Sequence, residues 1–298
     1  MKRIALTLAA VLLLLLLYIG SICLPSFFYK NGYTHDILHD MKIIAHRGGA
    51  SLAPENTLTC YRKGIEAGAD MIETDIHLTR DGHIVVCHDE RVDRTTDGSG
   101  RIRDLSLDEI RRFRVVDADG HPTDEHLPTL SELFALLQEF RAHGREVGLL
   151  CEIKRSRPGI YKGLEEQLIA QIAANDARRW VIVQSFDDYA LDHVHQLDST
   201  LRLEKLLVCK LPGLPFIIDG PHLSRFSYEK YSHVSSFNFW YRGISRSLLD
   251  DIHAHGREVK LWTLEDLDAP RLAVDGIITN RPDLWVKERE NCQCKGNY

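Results

Sequence analysis

Short apolar runs alternate with amphipathic segments along most of this chain. Beyond residue 41, runs rich in isoleucine, valine and leucine recur, and stretches with apolar residues at helical spacing separate them. Glu55 to Ala67 illustrates these connecting segments, because Leu58, Tyr61 and Ile65 share one stripe and Gly68 follows its end. The pattern therefore predicts an alternation of strands and helices.

The predicted strands number eight, of which the first two begin near Ile43 and Ile72. The others are Val147 to Ile153, Trp180 to Phe186, Leu201 to Val208, His233 to Phe239, Glu258 to Thr263 and Gly276 to Asn280. Eight alternating units favour an α/β fold of the (β/α)8 TIM barrel type over an open doubly wound sheet, which requires no closing eighth strand. Residues 90–127 are long for a barrel connection and predict a short insertion after the second strand.

The N-terminus has a different pattern. Ile4 to Leu24 is a run of 21 uncharged residues, which as a helix spans about 31 Å and crosses a bilayer core. Lys2 and Arg3 precede it, so we expect a single-pass transmembrane helix with a cytoplasmic N-terminus and a catalytic domain on the periplasmic or extracytoplasmic side. A cleaved signal sequence is the alternative. The predicted segments are this anchor or signal sequence (1–24), a juxtamembrane linker (25–40), the barrel (41–286) and a C-terminal tail (287–298).

Composition narrows the functional classes. With 298 residues, of which 44% are apolar, the chain can bury the core of one large catalytic domain. Its formal charge of −6 argues against a general nucleic-acid binder, since such proteins normally present a basic face. Seven cysteines occur without paired C-x-x-C spacing, so no zinc ribbon is indicated.

A predicted hairpin brings a histidine close to two carboxylates. Glu73 and Asp75 are two residues apart in a β-branched run, so they share one face of a strand. Asp81-Gly82 separates this run from the next and is a strong hairpin signal. With a two-residue loop, the pairing places His88 opposite Asp75, about 5 Å away between Cβ atoms.

Other strand ends supply a third acid and two cations. Glu152 and Lys154 share a face at the end of one predicted strand, and His46 and Arg47 follow the end of the first. Glu73, Asp75 and Glu152 offer only oxygen ligands, so these three carboxylates suit one Mg²⁺ or Ca²⁺ ion better than Zn²⁺. The ends of barrel strands at the C-terminal face are where such side chains meet.

These residues together predict a metal-assisted phosphodiester site. Arg47 and Lys154 can neutralise the phosphate oxygens, while His46 and His88 serve as acid and base, one deprotonating the attacking group and the other protonating the leaving alkoxide. His77 shares the face of Glu73, but its type and position also fit a core or rim residue, and it is left out of the predicted site.

Several motifs occur along the chain in an ordered set. They are His46-Arg47-Gly48, Pro54-Glu55-Asn56-Thr57, Glu73-x-Asp75, Asp81-Gly82, His88-Asp89, Arg94-Thr95-Thr96, Glu152-x-Lys154, Gln184-Ser185-Phe186, Leu261-Trp262-Thr263 and Asp275-Gly276-Ile277-Ile278-Thr279-Asn280-x-Pro282. This set, over roughly residues 41 to 285, resembles the glycerophosphodiester phosphodiesterase family of the PLC-like phosphodiesterase TIM barrel superfamily.

The resemblance implies a TIM barrel that hydrolyses glycerophosphodiesters to sn-glycerol 3-phosphate and an alcohol. It also implies a divalent metal held by Glu73, Asp75 and Glu152, with acid and base roles for His46 and His88. Asn280 departs from the family pattern, in which aspartate is usual at this position. Trp262 either contacts the glycerol or alcohol part of the substrate or belongs to ordinary barrel packing.

Two alternatives fit the same residues. The predicted anchor suits a lysophospholipase D or a phosphatidylinositol-type phospholipase that acts on membrane lipids. The arginine cluster between Arg101 and Arg114 fits a solvated helix face, mixed with Asp104, Asp108 and Glu109, and its alternative role is contact with an anionic lipid surface. The second alternative is a barrel that binds lipid headgroups without reacting, although no residue expected for metal binding or proton transfer is missing. The expected partners are therefore a glycerophosphodiester or lysophospholipid and a membrane, and not a nucleic acid.

Overall fold

Eight parallel strands form the centre of the fold in a computed structural model that describes residues 35–155, 159, 161–220, 222–267 and 272–295. In chain order the strands are β1 (Lys42–Ala45), β2 (Met71–Leu78), β3 (Ile84–Val86), β4 (Gly148–Ile153), β5 (Val181–Ser185), β6 (Arg202–Leu207), β7 (Cys209–Lys210), β8 (Phe216–Asp219), β9 (His222–Arg225), β10 (Ser236–Trp240), β11 (Glu258–Trp262) and β12 (Gly276–Thr279). The helices are α1 (His35–Asp40), α2 (Leu58–Glu66), α3 (Leu107–Ile110), α4 (Leu130–Ala142), α5 (Leu164–Ala174), α6 (Asp188–Leu197), α7 (Arg246–Ala254) and α8 (Pro282–Lys295).

The barrel closes through its first strand. Ala45 of β1 pairs with Ile72 of β2 on one side and with Thr279 of β12 on the other. The ring continues through β4, β5, β6, β10 and β11, and all of these pairings are parallel. The prediction of a (β/α)8 TIM barrel built from these eight strands is confirmed.

Side chains alternate between the two faces of the barrel wall, as the period of a strand requires. Those that point outward pack under the helices in the main core, whereas Ile44, Leu150, Ile182 and Ile278 form a separate apolar cluster. His46, Glu152 and Gln184 follow members of that cluster by two residues along their strands. The cluster therefore lies beneath the polar side chains at the C-terminal ends of the strands.

Both predicted terminal segments contain helix. Part of the predicted linker forms α1, and α8 continues past residue 286 to Lys295, so the predicted boundary with the tail falls inside a helix. Arg289 of α8 donates a 2.8 Å hydrogen bond to Asp70, which ties this helix to the barrel. The predicted anchor, Ile4 to Leu24, lies outside the described residues. Among the residues that are described, no helix is both long and apolar enough to cross a membrane.

The hairpin register differs by one residue from the prediction. Leu78 pairs with Ile84 and Ile76 with Val86, so Asp75 lies opposite Cys87, whose N–H donates to the Asp75 carbonyl at 3.0 Å. The cause is a longer turn, in which Gly82 has a φ of 83° that a residue with a side chain rarely adopts. The predicted pairing of Asp75 with His88 is therefore wrong.

The predicted insertion after the second strand is present and has its own core. It contains α3 and the 3-10 turn Ile102–Asp104, and it packs on the outer side of β3. In this core, Val92, Ile102, Ile110, Val115 and Leu127 of the insertion pack with Val85 of β3 and with Cys87.

A second excursion, after β6, is not helical as the alternating pattern suggested. Strands β7, β8 and β9 form a small antiparallel sheet there. Pro212 and Pro215 within this segment lack the N–H that a helix needs, and Gly213 and Gly220 both have positive φ. These residues explain why a sheet, and not a helix, fills this connection.

Gly64 of α2 lies against the turn that follows β1. A Cβ atom at this position would lie 2.3 Å from the Gly48 carbonyl oxygen and 3.1 Å from Ala45 Cβ. We therefore expect Gly64→Ala to lower the free energy of unfolding by about 1–3 kcal/mol, the usual cost of overpacking. Chemical denaturation measures this, with Glu66→Ala on the exposed side of the same helix as control. Equal stability of both variants would contradict the prediction.

Candidate active site

A sharp turn at the end of β1 brings His46 and Arg47 to the mouth of the barrel. Arg47 has a φ of 51°, and Gly48 and Gly49 follow with φ values of 89° and 96°. The backbone N–H of Arg47 donates to Glu73 Oε2 at 2.9 Å, which fixes this turn against β2. The two side chains therefore leave β1 in positions set by the backbone.

The three predicted metal ligands lie together. Glu73, Asp75 and Glu152 are buried, and one oxygen of each lies within 4.8 Å of the others. Asp75 pairs with Glu152 across β2 and β4, so their side chains share the interior face. Asn56 donates a 3.0 Å hydrogen bond to Asp75 Oδ2, and Gln184 lies 3.4 Å from Glu73 Oε1. These contacts orient the carboxylates toward one another.

The charges in this cluster favour a bound cation. Burial and the neighbouring carboxylates raise the pKa of Glu73 well above its ordinary value, and burial outweighs Lys154 to raise the pKa of Glu152 to about 7. Burial alone would also raise the pKa of Asp75, but Lys154, His88 and Arg47 outweigh it and hold that pKa low. Ionisation of all three buried carboxylates at once is unfavourable because their negative charges repel one another. A hard divalent ion would remove this repulsion, so the cluster suits such an ion.

The side chain of Asn280, which follows the last barrel strand, orients His46. Its Nδ1 lies 2.7 Å from Asn280 Oδ1, while Asn280 Nδ2 donates to Glu265 Oε1 at 2.6 Å. Because Glu265 can only accept when ionised, the amide oxygen of Asn280 faces His46, and Nδ1 carries the proton. Burial and Arg47 lower the pKa of His46 to about 4. At neutral pH the imidazole is uncharged with a bare Nε2.

His88 has a charged partner. Its Nδ1 lies 2.7 Å from Asp89 Oδ1, and Arg94 Nε donates to Asp89 Oδ2 at 2.6 Å. Arg94 also contacts Glu55, which accepts a 2.9 Å hydrogen bond from Arg47. Burial and Lys154 lower the pKa of His88, whereas the carboxylates of Asp75 and Asp89 oppose this shift. The two histidines therefore differ, since one faces a neutral amide and the other a carboxylate.

Two cations lie among the carboxylates. Lys154 Nζ is 2.9 Å from Asp75 Oδ1 and 2.6 Å from Glu152 Oε1. Arg47 Nε is buried, makes no hydrogen bond to any described residue and lies 3.8 Å from Asp75 Oδ2. A buried donor of this kind offers a contact to an anionic ligand, because a hydrogen bond there would satisfy it.

A pocket of about 110 Å³, the candidate catalytic pocket, joins these groups. His46, Arg47, Glu73, His88, Glu152, Lys154 and Trp262 all line it, so seven of the eight predicted site residues meet at one surface. The eighth, Asp75, is 1% exposed behind them. Trp262 donates its indole N–H to the Asn238 carbonyl at 2.9 Å and touches Phe186 edge-on. Its indole therefore has a structural contact as well as a place in the pocket wall.

His77 lies beside this pocket but is not part of its lining. It is buried, with Nδ1 2.7 Å from the Tyr161 hydroxyl and Nε2 3.3 Å from the His88 carbonyl. The residues that hold the site in place had no role predicted from the sequence. Glu55, Asp89, Arg94 and Asn280 all stand within the quoted motifs, so the motifs carried the signal, but only the fold shows which histidine or arginine each one contacts.

Comparison with known proteins agrees with this site. The Glycerophosphoryl diester phosphodiesterase family matches residues 46–284. The chain belongs to this family. A glycerophosphodiester phosphodiesterase from Caldanaerobacter subterraneus subsp. tengcongensis is 35% identical over 250 residues, which cover 82% of this chain and 96% of that protein. The prediction that the chain is a glycerophosphodiester phosphodiesterase is therefore confirmed.

Other relatives of the family agree in sequence and in structure. A glycerophosphodiester phosphodiesterase from Bacillus subtilis is 29% identical over 266 residues, covering 83% of this chain and 86% of that protein. The crystal structure of a glycerophosphodiester phosphodiesterase from Thermotoga maritima superposes with a TM-score of 0.62 at 25% identity, covering 84% of this chain and 99% of that chain. The similarity thus extends across the whole barrel.

Asn280 offers a test of how His46 is oriented in this phosphodiesterase. We expect Asn280→Ala to lower kcat by about 10–100-fold with little change in KM, because the imidazole loses the acceptor that holds its proton on Nδ1. Kinetics measure the effect, and nitrogen NMR of His46 reports whether Nε2 is still unprotonated. Unchanged kcat and an unchanged His46 spectrum would contradict this prediction.

Proposed function

We propose that the chain hydrolyses glycerophosphodiesters to sn-glycerol 3-phosphate and an alcohol by acid and base catalysis from His46 and His88. The convergence of both histidines with Arg47, Lys154 and three carboxylates in one pocket carries this proposal. The small volume of that pocket beside Trp262 suits a glycerol-sized group better than an acyl chain.

The two histidines have different roles. His46 is uncharged and has a bare Nε2, so it accepts the proton of the attacking oxygen, which belongs either to water or to a glycerol hydroxyl group. Attack by water gives glycerol 3-phosphate directly, whereas attack by the glycerol hydroxyl gives a cyclic phosphate that water then opens. His88 donates a proton to the alcohol oxygen as the bond from that oxygen to phosphorus breaks. Its contact with Asp89 and the negative charge of a bound phosphate both favour its protonated form.

The acidic cluster holds the metal in this proposal. Glu73, Asp75 and Glu152 would bind one Mg²⁺ or Ca²⁺ ion, for which oxygen ligands are suited. When bound, this ion supplies a positive charge that stabilises the developing charge on the phosphate oxygens. Arg47 and Lys154 bind further phosphate oxygens, and Trp262 forms one wall for the glycerol group.

One assay tests the reaction directly. The full-length protein in detergent is given a panel of glycerophosphodiesters, and release of glycerol 3-phosphate is measured with EDTA and after Mg²⁺ or Ca²⁺ is restored. We expect release that EDTA abolishes and one of the two metals restores. Absence of release from every diester by folded, metal-supplied protein would overturn the proposed function.

The predicted anchor remains part of this proposal. The uncharged run Ile4 to Leu24 supports a single-pass protein whose N-terminus is cytoplasmic and whose catalytic domain is periplasmic or extracytoplasmic. Carbonate extraction of membranes measures integration, and protease added to cells with an opened outer envelope and an intact cytoplasmic membrane measures the side on which the barrel lies. Recovery of the intact chain in the carbonate-soluble fraction would contradict the anchor.

A further inference from the structure

A cavity of about 660 Å³ adjoins the catalytic pocket. His88, Glu152, Lys154 and Phe186 line both of these spaces, whereas His46 and Trp262 line the catalytic pocket and not the larger cavity. The larger space therefore extends from the His88 side of the site. Its far wall includes Asp219, Gly220, His222 and Ser224, which belong to the sheet that follows β6.

The hairpin of β8 and β9 presents different chemistry on its two faces. Asp219 pairs with His222 and Ile217 with Ser224, so these residues share one face. Three of the four line the cavity. Leu223, between His222 and Ser224, pairs with Ile218 on the opposite face and is 63% exposed. The face toward the cavity is therefore the polar one.

Charged groups in the cavity wall are already paired. Arg155 lies 3.2 Å from Asp187, and Lys205 lies 2.8 Å from Asp188 and 3.2 Å from Asp219. An ammonium group that enters this cavity would thus compete with the Arg155 and Lys205 side chains for each of these three aspartates. Hydroxyl groups, by contrast, can exchange hydrogen bonds with the His222 ring, and they can donate to Ser224 Oγ, which itself donates to Asp219 Oδ1 at 3.2 Å and keeps its lone pairs.

We infer that this cavity binds the alcohol part of the diester and that the preferred alcohols are uncharged and carry several hydroxyl groups, as inositol does. The inference rests on the proposed function, because His88 protonates the departing oxygen and the alcohol must then lie on its side. The volume of about 660 Å³ accommodates a bulky group, and the charged and hydroxyl-bearing side chains in the wall offer hydrogen-bond partners to one that carries several hydroxyl groups.

Two neighbouring tryptophan variants test the assignment. Ser224→Trp places a large side chain in the cavity, and Leu223→Trp places the same side chain on the exposed outer face. The full-length protein is assayed with glycerophosphoinositol and with glycerophosphoethanolamine. We expect Ser224→Trp to lower the ratio of kcat/KM for glycerophosphoinositol to kcat/KM for glycerophosphoethanolamine by at least about tenfold. Leu223→Trp should leave that ratio unchanged.

A smaller substitution and a measurement of inhibition by the product glycerol 3-phosphate complete the test. His222→Ala, at an exposed position, should raise KM for glycerophosphoinositol severalfold and leave inhibition by glycerol 3-phosphate unchanged. Unchanged ratios in Ser224→Trp and His222→Ala, or weaker inhibition by glycerol 3-phosphate in either, would overturn the inference while leaving the proposed function intact. If the wild-type protein released glycerol 3-phosphate from neither diester, the proposed function itself would fail.

Discussion

His46→Ala and His88→Ala are each expected to lower kcat for an alkyl glycerophosphodiester by about 10²–10⁴-fold, the usual contribution of a positioned acid or base. His46 loses the bare nitrogen that Asn280 maintains, and His88 loses the donor that Asp89 supports. Initial rates at saturating substrate measure the effect. His83→Ala, at an exposed position beside the hairpin turn, is the matched control and should keep full activity.

A change of leaving group separates the two roles. The p-nitrophenyl ester of glycerol 3-phosphate releases a stable phenolate that does not require protonation. With this substrate, His88→Ala should recover to within about tenfold of the wild-type rate, because the acid is no longer needed, whereas His46→Ala should stay impaired. Equal losses for both variants with both substrates would remove the assignment of His88 as the acid.

The fold was largely predictable because its signal is local. Each barrel strand is an apolar run bounded by turn residues, and a run such as that at Ile43 needs no distant partner to be recognised. The sheet after β6 could not be predicted in this way. Its strands, Cys209–Lys210 and Phe216–Asp219 among them, are too short to show a period, and pairing with one another is what stabilises them.

The three carboxylates of the predicted metal site could be identified from the sequence, but the residues that orient the other side chains of the site could not. Glu73, Asp75 and Glu152 stand at strand ends, so the barrel topology alone brings them together. His88 reaches the pocket for a different reason from the one predicted. Strand β3 ends at Val86, the last backbone hydrogen bond to β2 comes from Cys87, and His88 lies in a bend beyond it, so the register of the hairpin does not determine where that side chain points.

The support for His46 depends on contacts across the whole chain. Asn280 lies 234 residues from His46 in sequence, and the closure of β12 on β1 is what brings them within hydrogen-bond distance. Family motifs name both residues without pairing them. The pairing of an uncharged amide with one histidine, and of a carboxylate with the other, is therefore a property that only the folded barrel reveals.

Glu73→Gln is expected to abolish the thermal stabilisation of the protein by added Mg²⁺ or Ca²⁺. Saturation at about 100 times the dissociation constant should stabilise the wild-type fold by about 2.7 kcal/mol, which a rise in Tm with added Mg²⁺ or Ca²⁺ measures. The variant keeps the size of the side chain and removes one of three close carboxylates. We expect it to lose this rise in Tm together with activity, while its Tm without metal equals or exceeds that of the wild type, since repulsion is relieved.

A second acidic group on the surface supplies the matched control for this metal experiment. Asp117, Asp119 and His121 also bring possible ligand atoms within 4.8 Å, but Asp119 and His121 are exposed and all three lie outside the catalytic pocket. Asp117→Asn should therefore keep both the rise in Tm and the activity. If Asp117→Asn lost the rise in Tm and Glu73→Gln retained it, the metal would bind at the surface group and the carboxylate cluster would have no part in the mechanism.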